Sequence, residues 1–132
     1  MKNNPSLFRT IDANINRFKE GVRVVEDILR YEFDSPLAKN LKEIRHVKIP
    51  DYEKFLRYRN TDSDILKPSI KSEQIRKDVK DLIVSNLKRA QESARVLEET
   101  FKLYDIKTSE TFKTLRYELY TLEKKILMLI TN

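Results

Sequence analysis

Apolar residues recur near the start of the chain in steps of four and three: Ile11, Ile15, Phe18, Val22, Val25 and Leu29. At 100° per residue they share one narrow face, so the spacing predicts a long amphipathic helix from about Pro5 to Phe33. Asn4 or Ser6 is placed to cap it, and Pro5 suits its first turn. A second helix is expected from Ser35-Pro36 through Leu37, Leu41 and Ile44 to about Val47. Pro50 ends it, and Asp51 is placed to cap a short helix reaching Tyr58. The stretch from Arg59 to Lys71 holds Asn60, Thr61, Asp62, Ser63, Asp64 and Pro68 and reads as a long irregular loop, the kind that often carries function. The helical period returns in a third helix from near Ser72 to about Tyr104, with Val79, Ile83, Leu87, Ala90, Ala94, Leu97 and Phe101 as its seam. A fourth helix starts at Thr108 or Ser109 and carries Phe112, Leu115, Leu119, Leu122, Ile126 and Leu129 to the end.

The polar positions are more informative than the seams. Asn14, Arg17, Glu20, Arg23 and Glu26 return 72 residues later as Asn86, Arg89, Glu92, Arg95 and Glu98. The apolar frame returns with them: Ile11 with Ile83, Ile15 with Leu87, Val24 with Val96, Val25 with Leu97. The second helix echoes the fourth, Lys42-Glu43-Ile44-Arg45-His46 against Lys113-Thr114-Leu115-Arg116-Tyr117. Such self-similarity marks a duplicated structural unit. The unit is a long helix with a shorter returning one, over about 9–58 and again over about 81–131. The expected architecture is therefore all-α: a bundle of two duplicated helical hairpins with pseudo-two-fold symmetry, within a single helical domain over 1–132. One glycine in 132 residues supports this, because hairpins and tight loops need residues at positive φ.

Composition narrows the function classes. Charged residues make up 36% of the chain, well above the usual quarter, and hydrophobic residues 39%. The net charge of +6 is compatible with nucleic acid, an anionic surface or phosphorylated small molecules. Nucleic-acid binding predicts a basic face with few acids, whereas here Arg alternates with Glu, so no nucleic-acid partner is expected. There is no cysteine, hence no disulfide or thiolate chemistry. The first residues lack an apolar signal region and no run of 18 apolar residues occurs, so the expectation is a soluble cytoplasmic protein without a membrane partner.

On a helical wheel Asn14 and Glu26 flank the seam, Arg17 and Arg23 lie further out, and Glu20 faces away. Two readings of this ladder stand. Arg17–Glu20, Glu20–Arg23 and Arg23–Glu26 are i,i+3 pairs, worth about 0.2–0.5 kcal/mol each on a solvated helix. Alternatively the ladder is a site, since Asn is a poor helix former and contributes nothing to ion pairing. His46, the lone histidine, reads as a packed or solvated residue, and its match to Tyr117 favours packing. Tyr52, Phe55, Tyr58, Tyr117 and Tyr120 sit at helical spacings and read as core. Asp62 and Asp64 could ligate magnesium or simply cap the loop. There is no G-x-x-x-x-G-K-[ST], no G-x-G-x-x-G and no H-E-x-x-H. Gly21 lies inside a helix, so any phosphate must be held by Arg and Lys side chains and helix N-termini.

The stretch Asp12-Ala13-Asn14-Ile15-Asn16-Arg17-Phe18-Lys19-Glu20-Gly21-Val22-Arg23-Val24-Val25-Glu26-Asp27 resembles the D-A-N-x-N-R-x-x-E-G-x-R-V-x-E-D signature of a small all-helical family of thiamine biosynthesis. That family is regarded as an alternative hydroxymethylpyrimidine-phosphate kinase and also occurs fused ahead of thiamine-phosphate synthase. Its second signature, N-x-x-R-A-x-E-x-x-R-V-L-E-E, is matched from Asn86 to Glu99. Its R-Y-x-x-Y-x-L-E tail is matched from Arg116 to Glu123, and an E-x-x-R opening the third helix by Glu73 and Arg76. A loop pattern R-D-x-x-x-D-x-G is met by Arg59 and Asp64, with Asn60 and Leu66 at the other two positions.

The resemblance implies transfer of the γ-phosphoryl of ATP onto hydroxymethylpyrimidine phosphate. It implies ATP and Mg2+ as cofactors and a functional association with thiamine-phosphate synthase. The acceptor phosphate has a second pKa near 6, so at neutral pH it needs no general base. What remains is positioning and charge neutralisation. Arg17, Glu20, Arg89 and Glu92 are the implied catalytic residues. Asn14, Arg23, Arg45, Arg59, Arg76, Asn86, Arg95 and Arg116 are the implied substrate-binding set, with Asp64 as a metal ligand beside Glu20 or Glu92. A non-catalytic helical module that binds thiamine intermediates or a synthase partner is the alternative. A helical enzyme of the chorismate mutase kind would also suit paired Arg and Glu. The oligomeric state is open, a homodimer included.

Overall fold

A computed structural model describes residues 5–131. Every regular element among them is helical: α1 Pro5–Tyr31, α2 Leu37–Arg45, α3 Tyr52–Leu56, a 3₁₀ turn Lys71–Gln74, α4 Val79–Phe101 and α5 Ile106–Ile130. The all-α expectation holds. Of the expected caps on α1, Asn4 lies outside the described residues.

Local polar chemistry sets the helix ends. Asp34 adopts a left-handed φ of 49° after α1, which a short polar side chain tolerates, and the Ser35 amide donates back to the Leu29 carbonyl at 2.9 Å. Ser35 Oγ then accepts from the Leu37 amide at 3.2 Å and starts α2 where the sequence placed it. Asp51 precedes α3 in a left-handed conformation, but its carboxylate does not cap the helix; it accepts the Tyr104 hydroxyl at 2.7 Å. α3 is shorter than expected, ending at Leu56.

The third long helix begins at Val79, not near Ser72. Ile75 and Asp78 are extended, and Asp78 and Asp81 cap the helix together. Asp78 Oδ1 accepts from the Asp81 amide at 2.7 Å, while Asp81 Oδ2 accepts from the Lys77 amide at 3.0 Å. One helix-end amide and the amide just ahead of the cap are thereby satisfied, a stronger start signal than Ser72 offers. Glu73 and Arg76 accordingly lie ahead of this helix and do not open it. α5 starts at Ile106 because Asp105 is the cap: it accepts from the Lys107 amide and from Thr108 Oγ1. Ser109 Oγ instead donates to the Glu98 carbonyl at 2.6 Å, tying α5 to α4.

The core runs between α1 and α4, with α2 and α3 packed on α1 and α5 on α4. Phe8 meets Tyr104 edge-on at 5.5 Å, while Gly21 lies against Asn86 and Ala90; advancing along α1 therefore means receding along α4, and the two helices are antiparallel. Phe8, Phe55, Phe101, Phe112 and Phe18 form a chain of ring contacts 5.3–6.0 Å apart across the bundle. Each buried ring contributes about 1.5–3 kcal/mol through burial alone.

Several expected core positions are exposed. Tyr52, Tyr58, Tyr117 and Tyr120 are at the surface and only Phe55 of that set is buried. Two of their hydroxyls accept from arginines, Tyr52 from Arg59 at 3.2 Å and Tyr120 from Arg116 at 3.4 Å, a placement that the polar end of an amphipathic ring suits. His46 is exposed at the end of α2, so its match to Tyr117 is a match between two surface positions. Val79, in the first turn of α4, and Leu129, near the end of α5, are likewise exposed.

Each hairpin is locked by an ion pair. Glu26 on α1 accepts from Arg45 on α2 through both oxygens, at 2.6 and 3.2 Å. Glu98 on α4 accepts from Arg116 on α5 at 2.8 and 3.1 Å. Glu26 and Glu98 are only 2% and 7% exposed, and among the described residues no buried side-chain nitrogen or oxygen lacks a partner. A buried carboxylate held by a forked guanidinium is tolerated because the partner compensates its desolvation.

Candidate functional site

The duplicated ladder divides into three parts, and the same division occurs in both copies. At its inner end the asparagines serve the backbone: Asn14 donates its amide to the Thr10 carbonyl at 3.0 Å and Asn86 to the Leu82 carbonyl at 2.8 Å. At its outer end Glu26 and Glu98 hold the hairpins, while Arg23 pairs with Asp27 and Arg95 with Glu99, each at 3.2 Å and each four residues on. The i,i+3 pairs expected along the ladder do not form. Asp27 and Glu99, one turn further, take the arginines instead.

The middle is different. Arg17, Glu20, Arg89 and Glu92 are exposed, and among the described residues none of the four makes an ion pair or a side-chain hydrogen bond. They meet in one cleft of about 580 Å³ between α1 and α4, with Gly21, Val24, Asn86, Ser93 and, from the 3₁₀ turn, Glu73. The wheel placed Glu20 away from the core, which is where it is. The wheel could not show that α4 crosses close by and brings Arg89 and Glu92 opposite. Gly21 permits that crossing: a Cβ there would lie 2.9 Å from the Asn86 carbonyl oxygen. The one glycine, inside a helix where it costs about 1 kcal/mol against Ala, was the available signal.

A second cleft of about 420 Å³ adjoins the first, sharing Arg17 and Glu20. Its floor is Asp12, Ala13 and Asn16 of α1 and its outer wall is Asn60, Thr61 and Asp64 of the loop. Asp12, 2% exposed, holds the start of that loop through a two-pronged ion pair with Arg59 at 2.7 and 2.8 Å. Arg59 also donates to Tyr52 Oη at 3.2 Å, and Arg9 donates to the Asn60 carbonyl at 2.8 Å. The hydrogen bonds to Asp12 and Tyr52 raise the Arg59 pKa further above its ordinary value, so its charge is fixed at any working pH. Asp12 was not singled out as a site residue in the sequence; its place at the head of the first signature was the only hint.

The remaining sequence-derived candidates are elsewhere. Arg45 and Arg116 are engaged in the hairpin ion pairs, and both guanidiniums are held charged, Arg45 by Glu26 and Arg116 by Tyr120 and Glu98. Arg23 and Arg95 face solvent beside their acidic neighbours. Arg76 donates to the Ile75 carbonyl next to it and does not line either cleft. Asn14 is buried, whereas Asn86 reaches the first cleft. Asp64 lines the second cleft and accepts from the Leu66 amide at 3.0 Å. Among the described residues no three acidic or histidine side chains are grouped to cage a metal ion. None of the helices is long and apolar enough to cross a membrane.

Two arginines and three carboxylates around one cleft cannot neutralise a polyphosphate alone, but they can receive one that arrives with its divalent cation. Magnesium commonly takes only one or two protein carboxylates and fills its octahedron with phosphate oxygens and water. Glu20 and Glu92, without partners, are the carboxylates of this cleft that could serve such an ion, and the guanidiniums of Arg17 and Arg89 could offer it forked donors on the phosphate side.

Comparison with known proteins agrees with the resemblance seen in the signatures. The chain is 38% identical over 125 residues to a thiamine-phosphate synthase of Synechocystis sp., covering 92% of this chain and 36% of that protein. It is 37% identical over 123 residues to a thiamine-phosphate synthase of Thermosynechococcus vestitus and 35% identical over 127 to one of Nostoc sp., each over 35% of the relative. The chain thus spans about a third of the length of the curated relatives it matches. No solved structure matches it. Residues 9–125 match the sequence profile of the ThiD2 family, and the chain, all-helical and carrying both signatures, belongs to that family.

Proposed function

We propose that this chain acts in thiamine biosynthesis and phosphorylates hydroxymethylpyrimidine phosphate to the diphosphate at the expense of ATP. The observation that carries the reading is the unpaired quartet Arg17, Glu20, Arg89 and Glu92, the central members of a ladder whose other charges are all committed to ion pairs. Leaving four such side chains without partners in one cleft is wasteful for a fold and useful for binding phosphates.

The chemistry asks little of the protein beyond placement. An oxygen of the acceptor phosphate attacks the γ-phosphorus of ATP. The bond from that phosphorus to the β,γ-bridging oxygen breaks, and its electron pair leaves with ADP. The acceptor is largely a dianion at neutral pH, so no side chain has to take a proton. This suits a chain whose only histidine, His46, lies outside both clefts. Arg17 and Arg89 offset the charge brought together as the phosphates approach, the contribution on which phosphoryl transfer chiefly depends. Glu20 and Glu92 are the side chains that would hold magnesium, which would supply further charge neutralisation. Arg59, fixed by Asp12, holds the loop wall of the second cleft in position.

The test is direct. Purified protein, ATP, Mg2+ and hydroxymethylpyrimidine phosphate are followed by ³¹P NMR for the diphosphate and for ADP. Alanine at Arg17, Glu20, Arg89 or Glu92 is expected to lower kcat/KM at least tenfold, the effect of one lost transition-state contact of about 1.4 kcal/mol. Arg17→Lys tests the forked geometry separately from the charge. Full activity in all four alanine variants would refute the site. The length of the relatives favours one second reading, a non-catalytic module that works beside a synthase. Tight binding of hydroxymethylpyrimidine phosphate without turnover would select it.

A further inference from the structure

The ladder is duplicated, so two equivalent sites per chain would be the simple expectation. The surroundings of the two copies differ in a way that decides against it. On the α1 side, Asp12 anchors Arg59 and the loop stands over Asn16, Arg17 and Glu20 as the wall of the second cleft. The position matching Asp12 in the second copy is Val84, which cannot hold a guanidinium. The position matching Asn16 is Lys88, and it is already occupied. Glu123 of α5 accepts Lys88 Nζ at 3.1 Å and Gln91 Nε2 at 3.0 Å, filling the α4 flank at the place where the α1 flank is open to a ligand. What is left there is a shallow recess of about 360 Å³ against Tyr120.

We infer that the chain has one reaction site, in which the nucleotide's phosphates lie in the α1–α4 cleft, the phosphorylated acceptor lies in the cleft between α1 and the loop, and transfer crosses the Arg17–Glu20 edge that the two share. This rests on the phosphotransferase reading above and adds to it that the two ladder copies are inequivalent. Arg17 and Glu20 border both ligands. Arg89 and Glu92 border the nucleotide alone. The larger cleft, with three carboxylates around two arginines, suits a magnesium-bound triphosphate. In the smaller cleft Asp12 is neutralised by Arg59, Asn16 Nδ2 is spent on the Asp12 carbonyl and Asn60 Oδ1 on the Ser63 amide, and Asn16 Oδ1, Asn60 Nδ2 and the Thr61 hydroxyl are left as the acceptors and donors that an aminopyrimidine edge requires.

Two measurements test this together. Titration calorimetry of the wild-type protein with the magnesium complex of a non-hydrolysable ATP analogue is expected to give one equivalent per chain. Steady-state kinetics is then expected to separate the copies. Arg89→Lys and Glu92→Gln should raise KM for ATP tenfold or more with KM for the acceptor unchanged. Asn60→Ala should do the reverse. Arg17→Lys and Glu20→Gln should lower kcat tenfold or more. Lys88→Ala, on the closed flank, should change none of these. Two equivalents of analogue per chain, equal effects at Arg17 and Arg89, or a tenfold loss on Lys88→Ala would overturn the single-site assignment while leaving the phosphotransferase reading intact. Failure of the wild-type protein to bind the analogue at all would overturn both.

Discussion

Replacing Gly21 by alanine sets two physical effects of opposite sign against each other. In the middle of α1 an alanine is favoured over glycine by about 1 kcal/mol, because the backbone has less freedom to lose and no side chain is strained. If local propensity decided, Gly21→Ala would stabilise the protein. The structure predicts the other sign. The added Cβ would stand 2.9 Å from the Asn86 carbonyl oxygen and 3.4 Å from both the amide nitrogen and the Cβ of Ala90. The close atom is backbone inside α4, so it cannot swing aside as a long side chain would, and the two helices must part by several tenths of an ångström. Overfilling a packed interface of this kind costs about 1–3 kcal/mol. Set against the propensity effect, the net expectation is a loss of about 1 kcal/mol, or about 3–5 °C in Tm for a chain of this size. Thermal unfolding followed by far-ultraviolet circular dichroism measures it. The same displacement separates Arg17 and Glu20 from Arg89 and Glu92, so phosphoryl transfer should fall further than stability does, because small misplacements of reacting groups are costly. A variant that melts several degrees higher and keeps full activity would refute the close-crossing account of the site.

Arg116→Met leaves Glu98 buried without its partner and should cost about 3 kcal/mol in urea unfolding, with Arg45→Met acting in the same direction at Glu26; a neutral result at both would show that these pairs do not hold the hairpins. Arg59→Lys removes the fork that Asp12 grips, so limited proteolysis between residues 60 and 70 should accelerate several-fold; an unchanged cleavage pattern would argue that Arg9 and the turn at Asn60 suffice. The Asp51 carboxylate, with burial second, pushes the Tyr104 hydroxyl up to about 12 from its ordinary 10. Its contribution to stability is therefore fully present below pH 10 and lost as the pH rises toward 12, and Tyr104→Phe should flatten the stability profile over that window relative to wild type. Identical slopes in the two proteins would remove Asp51 as the cause.

The periodicity of apolar residues located the three long helices and α2, and nearly every buried position of α1, because burial on a regular helix is a one-dimensional pattern. It misplaced the start of α4, since the Asp78 cap on the Asp81 amide, with Asp81 holding the Lys77 amide, competes locally with a helical reading of Lys71–Gln74 that periodicity alone would allow. It misjudged Tyr117 and Tyr120, whose rings flank the Arg116 guanidinium at 5.0 and 5.8 Å and so look apolar in spacing while serving a charge. The ladder was legible as a duplicated polar motif, but its division of labour was not. Whether Arg23 pairs with Glu26 or Asp27, and whether Glu26 meets Arg45 or water, depends on which helices become neighbours. The cleft holding the unpaired quartet likewise lies where α1 and α4 approach closely at Gly21.

The broad contact between α1 and α4 joins the two hairpins, and the peptide that links them, from Arg59 to Asp78, contributes little to the apolar core. In effect the chain is a tethered pair. The linker's thermodynamic role is to hold the second hairpin at high effective concentration near the first, turning what would be a bimolecular association into an intramolecular one. A linker relieved of packing duty is free to change in sequence. Here that freedom is used on one side only: the linker's first residues wall one cleft, and Glu73 on its single 3₁₀ turn reaches the other. The two hairpins thereby acquire a front and a back, through the linker and through helix positions such as Asp12 against Val84 and Asn16 against Lys88.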